Sequence, residues 1–461
     1  MKTISMKSAV AIAAACLAGA ALAAGEQDAA RLGKDLTPAG AEKAGNKDGS
    51  IPAWNGAEAP LPGWEYGKKR VDYWKHKGDK PLFSIDASNV DKYADKLAAG
   101  QVATIKQIKG YRMDVYPTRR DCGVPDFVAE NTKKNVGKAQ LAADGWGLKE
   151  ATVPGFPFPM PASGAEAMWN AKMRYRGVGI LFPFINTAVS PRKGSTDWII
   201  ASQELTYYYP WGVKGSFALS KYPPVEYYVL FQYSSPPALA GQALTVTFFL
   251  DQPGSETFYY FPGQRRVRRM PTYSYDSPQI GLENQYTLDE PSVFNGTIDR
   301  FNWKIVGKKE IYVGYNSFGA YDFTAKFKDV AHDDAIDPSA RRYELHRVWV
   351  IEATVKPGMR HTAPKRTFYL DEDSWNLMAA DDYDGQGKLF KYREGYLIPS
   401  YETGTCDATS FVQYNLAEGR YVFDMNPVGG GKDMRWVVNP EGPRFTPNYY
   451  SSENLRAISE R

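Results

Sequence analysis

From about residue 185 to the C-terminus, apolar and polar positions alternate. Over 226–233, Tyr227, Val229, Phe231 and Tyr233 share one face. Over 244–250, Leu244, Val246, Phe248 and Leu250 share another, with Thr245 and Thr247 opposite. A period of two marks half-buried β-strands, because successive side chains leave the pleat on opposite sides. Residues 258–261 are aromatic, Pro262-Gly263 turns the chain, and a strand resumes over 265–270. Tyr343, Leu345, Trp349, Ile351 and Ala353 alternate with Glu344, His346 and Glu352. Pro357-Gly358 leads into a strand over 367–370, and Asp384-Gly385 is a further hairpin signal. Short strands joined by turns predict an antiparallel meander with one apolar, aromatic face and one mixed face.

The chain upstream of 185 reads differently. Ser88 is a candidate N-cap for a helix carrying Val90, Tyr93, Ala94 and Leu97 and stopped by Gly100. Residues 125–135 and 137–143 read as further short helices, and 164–176 as another, with Ala167, Met168, Ala171 and Met173 on one face. The run GFPFPMP over 155–161 predicts an extended strap, since proline at alternate positions excludes a helix. Residues 36–56, polar and punctuated by Gly and Pro, predict an extended segment lying on the body, anchored by Trp54 and Trp64. Too few helical segments follow residue 185 to cover the apolar face of the meander, so the upstream helices are its expected cover.

The expected fold is α+β, a curved antiparallel sheet with short helices over its concave face. An extended and helical segment fills 24–110 and the sheet body 111–461. A loosely filled concave face suits a hydrophobic ligand. Its candidate lining is Phe231, Val246, Phe248, Leu250, Tyr259, Phe261, Leu345, Trp349, Phe368 and Leu370.

Residues 1–23 place this body outside the cytoplasm. Lys2 and Lys7 precede an apolar run from Ala9 to Leu22, and Ala21-Leu22-Ala23 is an A-x-A cleavage site ahead of Ala24. That is the layout of a secretory signal peptide. Ala13-Ala14-Ala15-Cys16 offers a second reading, a lipoprotein processing site. Two features oppose it: the apolar run continues past Cys16, and Ala13 stands where Leu is usual. After cleavage at Ala23-Ala24 only Cys122 and Cys406 remain, and in an oxidising compartment they predict one disulfide. Closing so long a loop is worth about 5 kcal/mol on chain entropy alone.

Charge and motifs exclude more than they assign. Without Lys2 and Lys7 there are 54 basic against 52 acidic side chains, which is no footprint for nucleic-acid binding. The densest basic run is 264–270, where Arg265, Arg266, Arg268 and Arg269 form either a solvated strand or a docking site for an acidic partner or lipid head group. The four histidines, His76, His332, His346 and His361, show no metal-ligand spacing, although His346 and His361 could meet across neighbouring strands. No G-x-S-x-G elbow or phosphate-binding loop occurs, and no cofactor is implied. A hydrolase for greasy esters would need a nucleophile–base pair that the sequence does not display. Asp371-Glu372-Asp373 reads as a charged turn, and 381–385 as a hairpin rather than a calcium loop.

Seven stretches carry a resemblance: LTPAGAEKAGNKDGSIPAWNG (36–56), EAMWNAKMRYRG (166–177), AGQALTVTFFLDQ (240–252), PGQRRVRRMP (262–271), WKIVGKKEIYVGYN (303–316), RYELHRVWVIEATVKPGMRH (342–361) and YLDEDSW (369–375). Together they make the chain similar to the bacterial domain-of-unknown-function family 1329, whose members are often labelled outer-membrane lipoprotein-sorting-like. The resemblance implies a half-open antiparallel barrel like that of the LolA and LolB carriers, with helices inside its concave face. It also implies a periplasmic setting and a hydrophobic ligand. An RND-type inner-membrane exporter and an outer-membrane protein are the implied partners. It carries over no catalytic residue. The expected function is a non-enzymatic carrier of a lipid, hydrocarbon or sterol-like molecule, and the alternative is a docking or structural component of an envelope export complex.

Overall fold

The computed structural model describes residues 25–460. The expected signal peptide and Cys16 lie outside them. Strands β1 (Phe83–Asp86) and β2 (Arg112–Val115) flank helix α1 (Ala99–Gln107), and helix α2 (Asp126–Asn135) follows. Three small strands come next, β3 (Gln140–Leu141), β4 (Leu148–Glu150) and β5 (Thr152–Val153), and then helix α3 (Gly164–Lys172). The first long strands are β6 (Gly179–Val189), β7 (Ile199–Tyr208), β9 (Val225–Ser235), β10 (Ala243–Phe249), β11 (Ser255–Phe261) and β12 (Arg266–Arg269), with the two-residue β8 (Phe217–Ala218) among them. The second group is β13 (Phe301–Tyr315), β14 (Tyr343–Val355), β15 (Lys365–Asp371), β16 (Leu377–Tyr383), β17 (Leu389–Ser400), β18 (Thr405–Asp407), β19 (Phe411–Asn415), β20 (Arg420–Asn426) and β21 (Arg435–Val437), followed by helix α4 (Ser452–Ser459).

One 17-stranded sheet holds all but the smallest strands. Its antiparallel run is β12-β11-β10-β9-β7-β6-β20-β19-β17-β16-β15-β14-β13. The end of β13 returns to pair in parallel with β17 at Gly314–Tyr396 and Tyr315–Leu397. Strands joined antiparallel through β14, β15 and β16 can meet again only if the sheet curls strongly over this half. The first half, β6 to β12, does not return on itself in this way. The result is a mostly-strand, curved sheet with few helices.

The strands expected over 226–233, 244–250, 258–261, 343–353 and 367–370 are present, and the one expected over 265–270 is shortened to Arg266–Arg269 because Arg265 takes a left-handed backbone conformation. The helices differ in three places. Residues 137–143 hold β3, not a helix. The expected 88–100 helix is a 3-10 run over Val90–Lys96 followed by α1, so Gly100 opens a helix instead of closing one. The reason is tertiary: Gly100 N donates to Asp381 Oδ1 at 2.8 Å, and a Cβ there would lie 2.2 Å from the Tyr392 ring. Third, α4 follows the strands and covers the outer face of the first half. Leu455 and Tyr450 bury themselves on Leu230, Ala243 and Tyr260, and Tyr208, Tyr228 and Tyr450 stack. Helix α3 lies within the expected 164–176 segment and is capped by Ser163, whose side chain accepts from Glu166 N at 3.2 Å. It packs on β13 and β14, and a Cβ at Gly164 would lie 2.5 Å from the Trp303 carbonyl carbon.

Residues 270–300, between β12 and β13, have almost no regular structure and lie across the sheet. Buried charges fasten them. Arg366 Nη1 and His361 Nε2 reach Asp289 Oδ2 at 2.6 and 2.8 Å, Lys391 Nζ reaches Glu290 at 2.7 Å, and Arg393 Nε donates to Val293 O at 2.8 Å. Arg366 and Arg393 also share Asp382. Burial alone would raise the carboxyls of Asp289 and Asp382. The Arg366 guanidinium outweighs it, helped by His361 at Asp289 and Arg393 at Asp382, and holds both well below the usual range.

The predicted disulfide is present. Cys122 and Cys406, 284 positions apart, have Cα atoms 5.5 Å from each other and tie the segment before α2 to β18. The extended 36–56 segment runs alongside: Arg120 donates to the carbonyls of Glu42, Lys43, Ala44 and Pro52, and Trp54 Nε1 donates to Cys122 O at 2.8 Å. Trp64 sits against Tyr401 and under the Arg70 guanidinium.

Asp371-Glu372-Asp373 is the expected charged turn between β15 and β16, and it is buried. Arg120 grips Asp373 with two nitrogens (2.7 and 2.9 Å) and Lys308 pairs with Glu372. His346 and His361 do not meet, since about 30 Å of β14 separates His346 from the turn that holds His361. His346 is buried, stacks on Tyr315 and contacts Glu344 Oε2 at 3.0 Å; His361 is half-buried.

Candidate functional site

The registers of β7, β9, β10 and β11 lay their inward side chains out in rows. Gln203 stands opposite Tyr233. Leu205, Phe231, Leu244 and Tyr259 form the next row, then Tyr207, Val229, Val246 and Thr257, then Tyr227, Phe248 and Ser255. Residues 273–295 lie opposite and bring Tyr273, Tyr275, Leu288, Pro291 and Asn295 over these rows. Asp424 and Met425 of β20 and Thr187 of β6 close one corner.

A crevice remains between the layers. Its volume is about 40 Å³. It is therefore a slot, suited to a slender or flat apolar guest, and a thicker one needs the walls to part. Val229, Leu244, Val246 and Phe248 are buried along its wall, and Tyr227 donates from its hydroxyl to Asn295 Oδ1, bracing the sheet against the crossing segment. Burial pushes the phenols of Tyr273 and Tyr275 up to about 12, so both keep their protons.

The polar corner is the chemically distinct part. Thr187 Oγ1 donates to Asp424 Oδ1 at 2.5 Å, Tyr286 OH donates to the other carboxylate oxygen, and Gln203 Nε2 donates to Thr187 Oγ1 at 3.1 Å. Burial raises the Asp424 carboxyl, which those two hydroxyls counter only in part. Among the described residues no Lys, Arg or His lines the crevice.

Of the ten residues singled out from the sequence, Phe231, Val246 and Phe248 line this crevice. Tyr259 stands in the same inward row as Phe231 but packs on its neighbours, with its ring 6.5 Å from that of Tyr273 and 4.5 Å from that of Phe261, and its hydroxyl donates to Gln242. Leu250 is buried just beyond β10, its carbonyl accepting from Leu148 N. The remaining four sit on β14 and β15. Leu345 and Leu370 are buried, Trp349 stacks on Trp375 with Lys308 above it, and Phe368 packs between Phe294 and Trp303. Gln203, Thr187, Asp424 and the 273–295 contacts carry no sequence signal, because they come from separate strands and from a segment without period.

Arg265, Arg266, Arg268 and Arg269 are all exposed. Strand β12 is an edge, paired on one side with β11. Arg269 pairs with Glu256 at 3.1 Å, and the groove between β12 and α4 is shared with Glu453 and Arg456.

The family model for "Protein of unknown function (DUF1329)" matches residues 84–456. The chain belongs to that family. It is 38% identical over 435 residues to the uncharacterized protein PA3922 of Pseudomonas aeruginosa, covering 93% of this chain and 91% of that one. Among solved structures it is similar to a Vibrio parahaemolyticus domain named for outer membrane lipoprotein sorting, at 15% identity and a TM-score of 0.42, over 64% of this chain and 98% of that one. A DUF1329 family protein from Desulfovibrio piger is similar at 15% identity and a TM-score of 0.38, over 60% of this chain and 92% of the other. Among the described residues, no helix of this DUF1329 chain is long and apolar enough to cross a membrane.

Proposed function

We propose that this DUF1329 protein is a non-enzymatic periplasmic carrier that holds a hydrophobic ligand in the crevice between β7, β9, β10, β11 and the crossing segment. The observation that carries the reading is that crevice: a slot with largely aliphatic and aromatic walls and a buried polar corner at Thr187, Gln203 and Asp424. The half-open barrel is the geometry this reading requires, with the β6–β12 half open to a guest and the β13–β17 half filled by the chain's own side chains. Apolar burial gains about 0.8 kcal/mol per CH₂, so a slender chain needs few polar contacts to be retained. Export is supported by the signal-peptide pattern and by the Cys122–Cys406 disulfide, which belongs in an oxidising compartment. Hand-over to an RND-type exporter or an outer-membrane protein is the envelope role that fits.

The test is native mass spectrometry with lipid extraction on protein secreted with its own signal and purified without detergent. A bound apolar molecule in near-stoichiometric yield is expected. Val246→Trp, which fills the slot, should lose it, and Trp349→Phe, outside the slot, should keep it. A folded Val246→Trp protein that retains ligand would refute the assignment.

One observation favours a second reading, a docking component of an envelope complex. Three exposed arginines on the edge strand β12, with Arg265 in the turn before it, present a cationic cluster beside α4. Capture of envelope partners that is lost on changing Arg265, Arg266, Arg268 and Arg269 to Glu, from protein carrying no lipid, would favour it.

A further inference from the structure

The hydrogen bonds at the polar corner of the crevice leave one acceptor open. Asp424 accepts from Thr187 on one oxygen and from Tyr286 on the other. A hydroxyl has a single proton. Thr187, having given its proton to Asp424, can only accept from Gln203. That sets the Gln203 amide with Nε2 on Thr187 and leaves Oε1 as a buried acceptor without a partner, on a residue that lines the crevice and is 3% exposed. A buried acceptor left unpaired is costly, and a guest that brings a donor relieves the cost.

The same corner disfavours an anion. Asp424 is buried, and no described Lys, Arg or His among the lining residues compensates its charge. A carboxylate head placed beside it would meet like charge at low dielectric. An ammonium head would be drawn to Asp424, but Thr187 and Tyr286 already occupy both carboxylate oxygens, and its three protons would face a single unpartnered acceptor. An alcohol gives one proton to one oxygen.

We infer that the crevice, on the carrier reading above, selects an uncharged amphiphile with an alcohol head, whose hydroxyl donates to Gln203 Oε1 while its apolar body lies along Val229, Val246 and Phe248. A site built to pair a hydroxyl rejects the analogue without it far more strongly than a greasy slot discriminates by size.

The test uses the full secreted chain, delipidated, with three probes built on a ten-carbon chain at pH 8: 1-decanol, decyl methyl ether and decanoate. Each displaces N-phenyl-1-naphthylamine in a fluorescence titration. Decanol should bind at least tenfold more tightly than either of the others. Gln203→Leu and the closer isostere Gln203→Met should erase that preference. Ether or decanoate binding as tightly as decanol to the unaltered protein overturns the inference and leaves the carrier reading standing, and this arm needs no variant to fold. Binding of none of the three removes the carrier reading, and the inference with it.

Discussion

Arg366 and Asp289 lie 77 positions apart in sequence, yet Arg366 Nη1 donates to Asp289 Oδ2 at 2.6 Å in the interior, with both side chains almost fully buried. Their pairing holds the unstructured 270–300 segment across the sheet and so builds one wall of the crevice. Removing one partner of such a pair leaves an uncompensated buried charge, which costs about 3–5 kcal/mol. Asp289→Ala should lower the urea-unfolding free energy by that amount and speed hydrogen exchange over 285–299 ahead of the strands. Unchanged exchange in that segment would show that other contacts hold it.

The disulfide closes a loop of 284 residues between the segment before α2 and β18. Replacing Cys122 and Cys406 together with Ala should cost about 2–5 kcal/mol, since the unfolded chain regains the freedom the link removes. Denaturant unfolding of the double variant measures this. A midpoint equal to that of the unaltered protein would mean the native packing alone sets the stability.

Stability should depend on pH with an unusual sign. Burial, with Glu344 nearby, pushes the Asp121 carboxyl up to about 7, and burial pushes Asp371, Asp381 and Asp433 up to about 6. In the unfolded chain these groups release their protons near pH 3.9. Between about pH 4 and 7 the native state therefore binds more protons than the unfolded state, and stability falls as pH rises through that window. The depressed carboxyls of Asp289, Asp382 and Asp407 act oppositely, and their contribution is lost only as pH drops below about 4. Unfolding free energy should be greater at pH 5 than at pH 8, by an amount on the order of a few kcal/mol. Asp121→Asn should flatten the slope and stabilise the protein at pH 8; greater stability of the unaltered protein at pH 8 than at pH 5 would contradict the assignment.

Gly100 tests the packing of α1. Alanine in a helix gains about 1 kcal/mol over glycine. Here the new Cβ would sit 2.2 Å from Tyr392, whose hydroxyl is tied to Glu394 at 2.9 Å and whose ring is fully buried. Overpacking of this kind costs about 1–3 kcal/mol and should win. Gly100→Ala is expected to lower the melting temperature, as followed by circular dichroism. A rise would mean that Tyr392 has room to withdraw.

Much of the fold is legible in the alternation alone. Residues 226–233, 244–250 and 343–353 state which side chains share a face, because the period of a strand is local geometry. Ser163 marks the start of α3 for the same reason: its side chain answers a backbone group three positions away. Cys122 and Cys406 are the two cysteines outside the expected signal peptide, so the disulfide pairing leaves no choice. Gly100 shows where local reading fails. Its role depends on Tyr392 and Asp381, nearly three hundred positions distant.

The sequence by itself determined the strands, their inward faces and the covalent link, since each depends on neighbours along the chain or on counting. Only the tertiary structure decided that Phe231, Val246 and Phe248 face a gap while Leu345, Trp349, Phe368 and Leu370 face packed side chains. Both sets carry the same alternating pattern. Whether an inward row meets empty space depends on what lies opposite, and here that is a segment without period, positioned by Asp289, Glu290 and their distant partners. The corner of Thr187, Gln203 and Asp424 arises the same way, from three strands that the curled sheet brings together.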